Sequence, residues 1–487
     1  MLFNSFIFAV YLPIVFVLYW FVFNKHLRAQ NALIVFVSYF FYGWWDPRFL
    51  ALIFMSTLFD YLMGIAIHDA PEEKRKKMFM AVSFIVNLTF LGFFKYYNFF
   101  AQSLIDAFAG LGVELQLSTL NIVLPVGISF YTFQSLSYTI DVYRGDLKPT
   151  RDPVNFYAFV SFFPQLVAGP IERATNLLPQ FYEPRHFDFD KAKDGMKQIF
   201  WGLFKKIVVA DTCADVVNTI FGTYEQHSGS TLFIAAVLFS FQIYCDFSGY
   251  SDIAIGCARL FGFELMQNFN KPYLSRDIGE FWRRWHMSLS TWFRDYIYFP
   301  LGGSRVSKWL QFRNNMIVFT VSGFWHGANW TFLFWGFLNG LYYLPIMLRK
   351  NKRPATSVIA DGKLFPSIQE VLAVAVTFFF TVIAWVFFRA KDIQSAFTIV
   401  GRILSPDLFT NPATSLDGFN LRDQIIYAFL GIGLLMTIEW FTRTKKHGLE
   451  FKTGPTLLRW TAYTAVIVIV FLFRRTGGNL DFIYFQF

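Results

Sequence analysis

A single histidine stands inside a long apolar, aromatic stretch, Val321–Ser322–Gly323–Phe324–Trp325–His326–Gly327–Ala328–Asn329–Trp330. An ionisable side chain at membrane depth is costly and marks a functional site by default. Upstream, Phe281–Trp282–Arg283–Arg284–Trp285–His286–Met287, continuing to Trp292–Phe293–Arg294–Asp295–Tyr296, holds a second histidine among rings and cations. Two imidazoles in so apolar a chain point to proton transfer carried out inside a membrane. Low-dielectric surroundings favour the neutral imidazole, which is the form a general base needs at neutral pH. The small residues Gly323, Gly327 and Ala328 leave room for a substrate to approach the backbone. The competing reading of His326 is a core histidine hydrogen-bonding two helices together, with the tryptophans as an interfacial belt. Around His286, the guanidinium groups of Arg283, Arg284 and Arg294 suit the phosphates of a nucleotide-containing acyl donor or a phospholipid. Asp295 pairs with Arg294 or with another arginine. The competing reading there is an amphipathic helix lying on anionic lipid.

Two further segments carry polar groups at depth. Pro125–Val126–Gly127–Ile128–Ser129–Phe130–Tyr131–Thr132–Phe133–Gln134–Ser135–Leu136–Ser137–Tyr138 has Pro and Gly early and hydroxyls late. Its small polar residues could line a tunnel or serve as helix-packing contacts. Asp246 and Asp252 are carboxylates within an apolar run. They either pair with cations such as Arg283 or Arg284 or act directly.

The elements that position these groups follow from composition. Of 487 residues, 55% are hydrophobic and 16% charged, and phenylalanine alone accounts for 65. A soluble domain carries about 25% charged residues. With a mean hydropathy of +0.40, the chain reads as a polytopic membrane protein. A spanning helix needs about 20 mostly apolar residues. The runs that approach this are 2–23, 30–45, 48–67, 78–100, 119–140, 153–170, 196–220, 231–258, 314–348, 367–388, 425–442 and 456–473. The stretch 314–348 is long enough for two short helices. The expectation is an all-α bundle of about 11–13 membrane-embedded segments. The first run lacks a basic leader region and a small-residue cleavage site, so it reads as a span and not a cleaved signal.

The net charge of +10 sits in short loops between apolar runs. That pattern sets topology and attracts anionic headgroups, and does not indicate nucleic acid. Lys25 and Arg28 follow the first run, Lys74 to Lys77 the third, and Arg144, Lys148 and Arg151 the fifth. These basic loops are assigned to the cytoplasm and the amino terminus to the outside. The alternation fails at 153–170, which has basic loops on both sides, contains Pro164 and ends in Gly169–Pro170. A re-entrant or interfacial segment beside a cavity fits it better than a full span. Residues 264–313 are too polar to span and too aromatic for a solvated linker, so short amphipathic helices are expected there. Residues 389–424 read as an extramembrane loop. No repeat or linker separates a second domain, so 1–487 is expected to form one domain.

Cys213, Cys245 and Cys257 show no metal or redox spacing and read as buried free thiols. No G-x-S-x-G, H-E-x-x-H, CxxC pair, Walker A or dinucleotide fingerprint occurs, which argues against a serine acyl-enzyme, a zinc hydrolase and a bound nucleotide cofactor. No metal site and no bound cofactor are expected. Energy for the chemistry must therefore arrive with an activated substrate.

Several motifs occur in one order: Pro125 through Gln134; Phe162–Phe163–Pro164–Gln165–Leu166–Val167–Ala168–Gly169–Pro170–Ile171; the Trp285–His286 block through Pro300–Leu301–Gly302–Gly303; Trp325–His326–Gly327; and Phe482–Ile483–Tyr484–Phe485–Gln486–Phe487. In these, over nearly its whole length, the chain resembles the membrane-bound O-acyltransferase family, specifically its bacterial alginate O-acetyltransferase-type branch. One departure is Phe324, where leucine is common before the Trp–His pair. The resemblance implies that His326 is the family's catalytic histidine and His286 its second histidine. It also implies a helical bundle around a central tunnel, with a cytoplasmic entrance for the donor. The expected substrate contacts are Trp325, Asn329, Gln134, Trp285 and Asp295, with Arg283, Arg284 and Arg294 on the donor side. His326 would deprotonate a hydroxyl or take up the acyl group transiently, and His286, Asn329 and backbone amides would steady the oxyanion.

The activity so implied is O-acylation of an extracytoplasmic polysaccharide from a cytoplasmic thioester such as acetyl-CoA, in the bacterial inner membrane, directly or through a periplasmic acetyltransferase partner. Rival readings are D-alanyl transfer to teichoic acid from a carrier protein, a non-catalytic glycan or lipid transporter, and a scaffold in a polysaccharide-export complex.

Overall fold

Backbone polar groups in a bilayer have no water to bond, so an apolar chain satisfies them within helices. The computed structural model describes residues 1–349, 354, 357–412, 421–451, 455–474 and 482–483, and every regular element among them is helical. The protein is thus the all-α, multi-pass bundle its composition requires. Among the described residues, six helices are long and apolar enough to cross a membrane: Pro47–Asp69, Glu73–Ala109, Gly229–Leu260, Trp330–Leu348, Ile368–Arg389 and Leu421–Phe441. Phe6–Val22 and Thr456–Leu472 are shorter apolar helices. The expected run 153–170 is broken into pieces too short to cross alone.

The chain packs as two compact units, Met1–Gly195 with Cys257–Met266, and Met196–Gly256 with Gln267–Phe487. In the first, the Leu27–Gly43 helix lies against Pro153–Ser161, and Leu50–Asp69, Glu73–Leu91 and Ile128–Arg144 pack on one another. Asp60 is fully buried there and accepts hydrogen bonds from Ser83 Oγ and Asn87 Nδ2, both at 2.9 Å.

The run 119–140 departs from its expected span, because helix begins only at Ile128 and continues to Arg144. Hydropathy counts the apolar residues before Ile128 as helix, but the backbone turns at Gly127, whose φ is +76°. A Cβ on Gly127 would also lie 2.6 Å from the Leu166 carbonyl oxygen, so both the torsion and the close approach demand glycine. The 153–170 segment is interrupted as Pro164 suggests: Pro153–Ser161 stops at Phe162, and a single turn, Phe163–Leu166, follows.

In the second unit, the 196–220 run continues through a π-helical turn, Phe204–Ala210, that carries Lys205 and Lys206 into the interior. The 264–313 region contains the short helices Ile278–Arg284 and Met287–Phe293. The 314–348 stretch resolves into a hairpin, Lys308–His326 and Trp330–Leu348. Glycines let its arms touch: a Cβ on Gly323 would come within 2.2 Å of Phe332 O, and one on Gly336 within 2.3 Å of Phe319 O. Small residues at such crossings are what allow membrane helices to pack closely.

The expected 389–424 loop is partly helical. Asp392 caps a helix, Ile393–Ile403, that buries Ala396, Ile399 and Ile403 on one face; this spacing is helical and amphipathic despite the flanking prolines. Residues 413–420 and the terminal Tyr484–Phe487 lie outside the described residues. The three cysteines are buried and free.

Candidate active site

His326 is the last residue of the Lys308–His326 helix. The connector to the next helix is only Gly327 to Asn329, so the ring is held at the closed end of the hairpin. Asn329 caps the second arm: its Oδ1 accepts from Thr331 N at 3.0 Å, and its Nδ2 donates to Lys391 O at 3.1 Å. Both polar atoms of Asn329 thus fix the loop that follows His326.

Rings enclose the imidazole. Trp325, Trp335 and Phe388 lie 4.9, 5.2 and 5.3 Å from it between centroids, each steeply inclined. His326 is 4% exposed. His286 enters the same cluster, with its ring 6.3 Å from that of His326 and 5.9 Å from Trp325. Phe247 closes its other side at 4.6 Å. Two histidines 40 positions apart in the chain therefore flank one indole.

His286 sits in a strained turn. Its backbone is left-handed, φ +42° and ψ +54°, a conformation that costs an L-residue roughly 1–2 kcal/mol. Asn268 stabilises the turn. Its carbonyl accepts from Met287 N at 2.8 Å, and its Oδ1 accepts from Ser288 Oγ at 2.9 Å. Its Nδ2 donates to Ser251 Oγ at 3.1 Å, tying the turn to the Gly229–Leu260 helix. Both ring nitrogens of His286 are buried, and neither bonds another residue among those described. Burial keeps this imidazole neutral. A buried polar ring without a hydrogen-bond partner among the described residues is rare.

The remaining candidates divide. Trp325 belongs to the cluster. Trp285 is 2% exposed and packs 4.9 Å from Trp385, which stacks on Trp335 at 5.5 Å. Arg283 and Arg294 are exposed, and Arg294 pairs with Asp295 at 2.7 Å. Arg284 is buried and bonds Glu280 Oε1 at 2.8 Å. Gln134 lies in the first unit, where its Nε2 donates to Phe159 O at 2.9 Å. Of these charged residues, Arg284 is committed to an internal carboxylate, and Arg294 and Asp295 bond each other.

Sequence reasoning missed several buried charges of the second unit. Glu280 joins Arg284 to Arg276, whose Nε lies 3.0 Å from it, and Arg276 reaches Glu370 at 3.0 Å. The pairing expected of Asp246 and Asp252 with Arg283 or Arg284 is corrected: Asp252 binds Lys205 at 2.7 Å, and Asp246 binds Lys206 at 2.6 Å. Lys206 also reaches Asp211 at 2.8 Å. The arginines are unavailable because Arg284 already serves Glu280 and Arg283 faces outward. The only available cue was two lysines inside an apolar run, which must find carboxylates if buried. Glu439, accepting from Tyr244 Oη at 2.6 Å, is a further intramembrane carboxylate.

Comparison with known proteins identifies the family of the chain. The family described as membrane-bound O-acyltransferase matches residues 147–350. A protein of Pseudomonas putida named as a probable alginate O-acetylase is 39% identical over 503 residues, covering all of both chains. The peptidoglycan O-acetyltransferase of Helicobacter pylori is 33% identical, covering all of this chain and 98% of its own. The teichoic acid D-alanyltransferase of Bacillus subtilis is 28% identical over 56% of this chain and 70% of its own. With these similarities and its multi-pass helical fold, the chain belongs to the membrane-bound O-acyltransferase family and is an O-acyltransferase.

Proposed function

We propose that the protein, acting as one domain over 1–487 in the bacterial inner membrane, transfers an acetyl group from a cytoplasmic thioester such as acetyl-CoA to a hydroxyl of an extracytoplasmic polysaccharide. The polysaccharide is the acceptor class named for the full-length relatives, an alginate O-acetylase and a peptidoglycan O-acetyltransferase. D-alanyl transfer is the lesser reading, because the teichoic acid enzyme matches a shorter part of the chain at lower identity.

The observation that carries the mechanism is the pair of buried imidazoles across Trp325. His326 is the catalytic base. Its neutral ring takes the proton of the incoming hydroxyl, and the alkoxide oxygen attacks the thioester carbonyl. The tetrahedral intermediate collapses with cleavage of the carbon–sulfur bond. The departing thiolate takes the proton held by His326, leaving an ester and a free thiol. The same geometry also allows His326 to carry the acyl group covalently between donor and acceptor. A positioned base contributes about 10²–10⁴-fold. His286, with unbonded ring nitrogens, donates to or orients the reacting oxygen. Asn329 positions His326 by holding its loop. Substrate entry requires the rings around His326 to move aside, since it is 4% exposed. The group reaches the sugar directly or through a periplasmic acetyltransferase partner that supplies the incoming hydroxyl.

The test is label transfer from [14C]acetyl-CoA by the purified full chain, with and without the partner. His326→Ala should lose transfer while keeping the wild-type thermal melt. Transfer at the normal rate by a folded His326→Ala protein would remove His326 from the mechanism.

A further inference from the structure

We infer that the first unit carries a binding site for the phosphate end of an anionic phospholipid, in the cavity between the end of the first apolar helix and the Pro184–Phe187 segment. This goes beyond the proposed acyl transfer and does not depend on it. The cavity holds about 560 Å³ and is half-open. One wall is aromatic, formed by Phe16, Trp20 and Phe187, and leads to Phe21, which is 73% exposed. The rim is basic, formed by Lys25, Arg185 and His186. Among the described residues, no carboxylate lines it.

Arg185 makes the case. Among the described residues its guanidinium bonds neutral oxygens: Gln180 O at 3.2 Å, Asn31 Oδ1 at 2.5 Å, Gln30 Oε1 at 3.4 Å and the Tyr19 hydroxyl. Its Nε is buried without a partner among the described residues, and its Cζ lies 4.7 Å from the centre of the Phe263 ring. The adjoining cavity differs. It shares Trp20, His186 and Phe187, but its cations are already neutralised: Lys191 by Glu264 at 3.5 Å, and Arg259 by Asp194 at 2.7 Å. A partly desolvated cation with no counter-ion is costly unless an anion arrives from outside.

The cavity's place selects the anion. It opens where Phe6–Val22 ends and the basic loop bearing Lys25 and Arg28 begins, on the side those charges assign to the cytoplasm. Headgroup phosphates lie at that depth, and arginine suits phosphate geometry. Free phosphate has no use for the aromatic wall, whereas a lipid chain covers it.

Native mass spectrometry of the delipidated full chain tests this, with dioleoyl phosphatidylglycerol or dioleoyl phosphatidylcholine added. Wild type should retain phosphatidylglycerol at concentrations at least about fivefold below phosphatidylcholine, the expected effect of one interfacial charge. Lys25→Gln/His186→Gln, both exposed, should lose that preference. Lys76→Gln/Lys77→Gln, which alters another basic loop, should keep it. Inorganic phosphate and coenzyme A at millimolar concentration should not displace the lipid. Equal retention of the two lipids overturns the inference. So does a preference that survives in the first variant or disappears in the second. Displacement by phosphate or coenzyme A would instead identify a soluble phosphate ligand and overturn the lipid assignment.

Discussion

The rings of His286 and His326 lie 6.3 Å apart at 68°, and Trp325 packs against both. The shared indole couples the positions of the two imidazoles without a hydrogen bond between them. Their supports differ, however. His326 ends a rigid helical hairpin, whereas His286 occupies a single strained turn.

That difference separates their expected mutant kinetics. If His326 moves the proton, His326→Gln should lower kcat and kcat/KM together by about 10²–10⁴-fold. His286→Gln, which retains a donor, should cost less, on the order of 10-fold, and recover part of the loss seen in His286→Ala. Equal losses in His286→Gln and His286→Ala would indicate that the ring's shape, and not its hydrogen-bonding nitrogens, is what the site uses.

The left-handed turn makes a separate prediction about stability. Glycine at 286 relieves roughly 1–2 kcal/mol of backbone strain, but loosens the unfolded chain at a cost of about 0.4–1 kcal/mol. The balance favours glycine, so His286→Gly should melt higher than His286→Ala by the equivalent of about 0.5–1 kcal/mol, while both lose activity. A lower melt for the glycine variant would show that the turn is not strained in solution.

Much of the fold was legible in the sequence, because hydropathy reports membrane helices directly. The two histidines stood out because their chemistry contradicts their surroundings, and the structure brings their rings to 6.3 Å of each other. Hydropathy could not see the break before Ile128, since it counts apolar residues and ignores the torsion at Gly127. Asn329 read as a substrate contact because an amide beside a histidine suits an oxyanion; Asn is equally a helix cap, and here its Oδ1 caps the Trp330–Leu348 helix while its Nδ2 bonds Lys391 O. The partners of Asp246 and Asp252 were hidden for a different reason. Lys205 and Lys206 lie about 40 residues away in sequence, within an apolar run, and only the packing of the π-helical turn brings them to the aspartates.

Glu280 makes acid sensitivity predictable. Burial alone would raise its carboxyl, but hydrogen bonds from Arg276 and the charge of Arg284 hold it below the ordinary 4.5. The folded state therefore binds the proton less tightly than the unfolded state does. The stabilisation is present above about pH 4.5 and is lost as pH falls through the folded value. Melting temperature should accordingly drop on acidification below that point. Glu280→Gln should flatten this drop, but melt lower at pH 7 by the equivalent of about 3–5 kcal/mol, because it leaves two buried guanidinium groups without their shared carboxylate. An unchanged melt at pH 7 would mean that water screens the triad.

The Lys205–Asp252 pair tests whether the buried ion pairs stabilise the bundle or only avoid a penalty. Lys205 Nζ lies 2.7 Å from Asp252 Oδ2 and also donates to Ser248 Oγ at 3.2 Å, while Gln198 Nε2 supports Asp252 at 2.7 Å. Two desolvated charges gain from each other about what they lose by leaving water, so the net value of the pair is small. Removing one partner strands the other. Lys205→Met should therefore destabilise the protein by about 3–5 kcal/mol, and Asp252→Leu by a similar amount. The double variant should recover most of that loss, giving a coupling energy in the cycle no smaller than either single loss, about 3–5 kcal/mol. If the two losses instead add, the lysine and aspartate act independently, and their value lies in the separate contacts to Ser248 and Gln198.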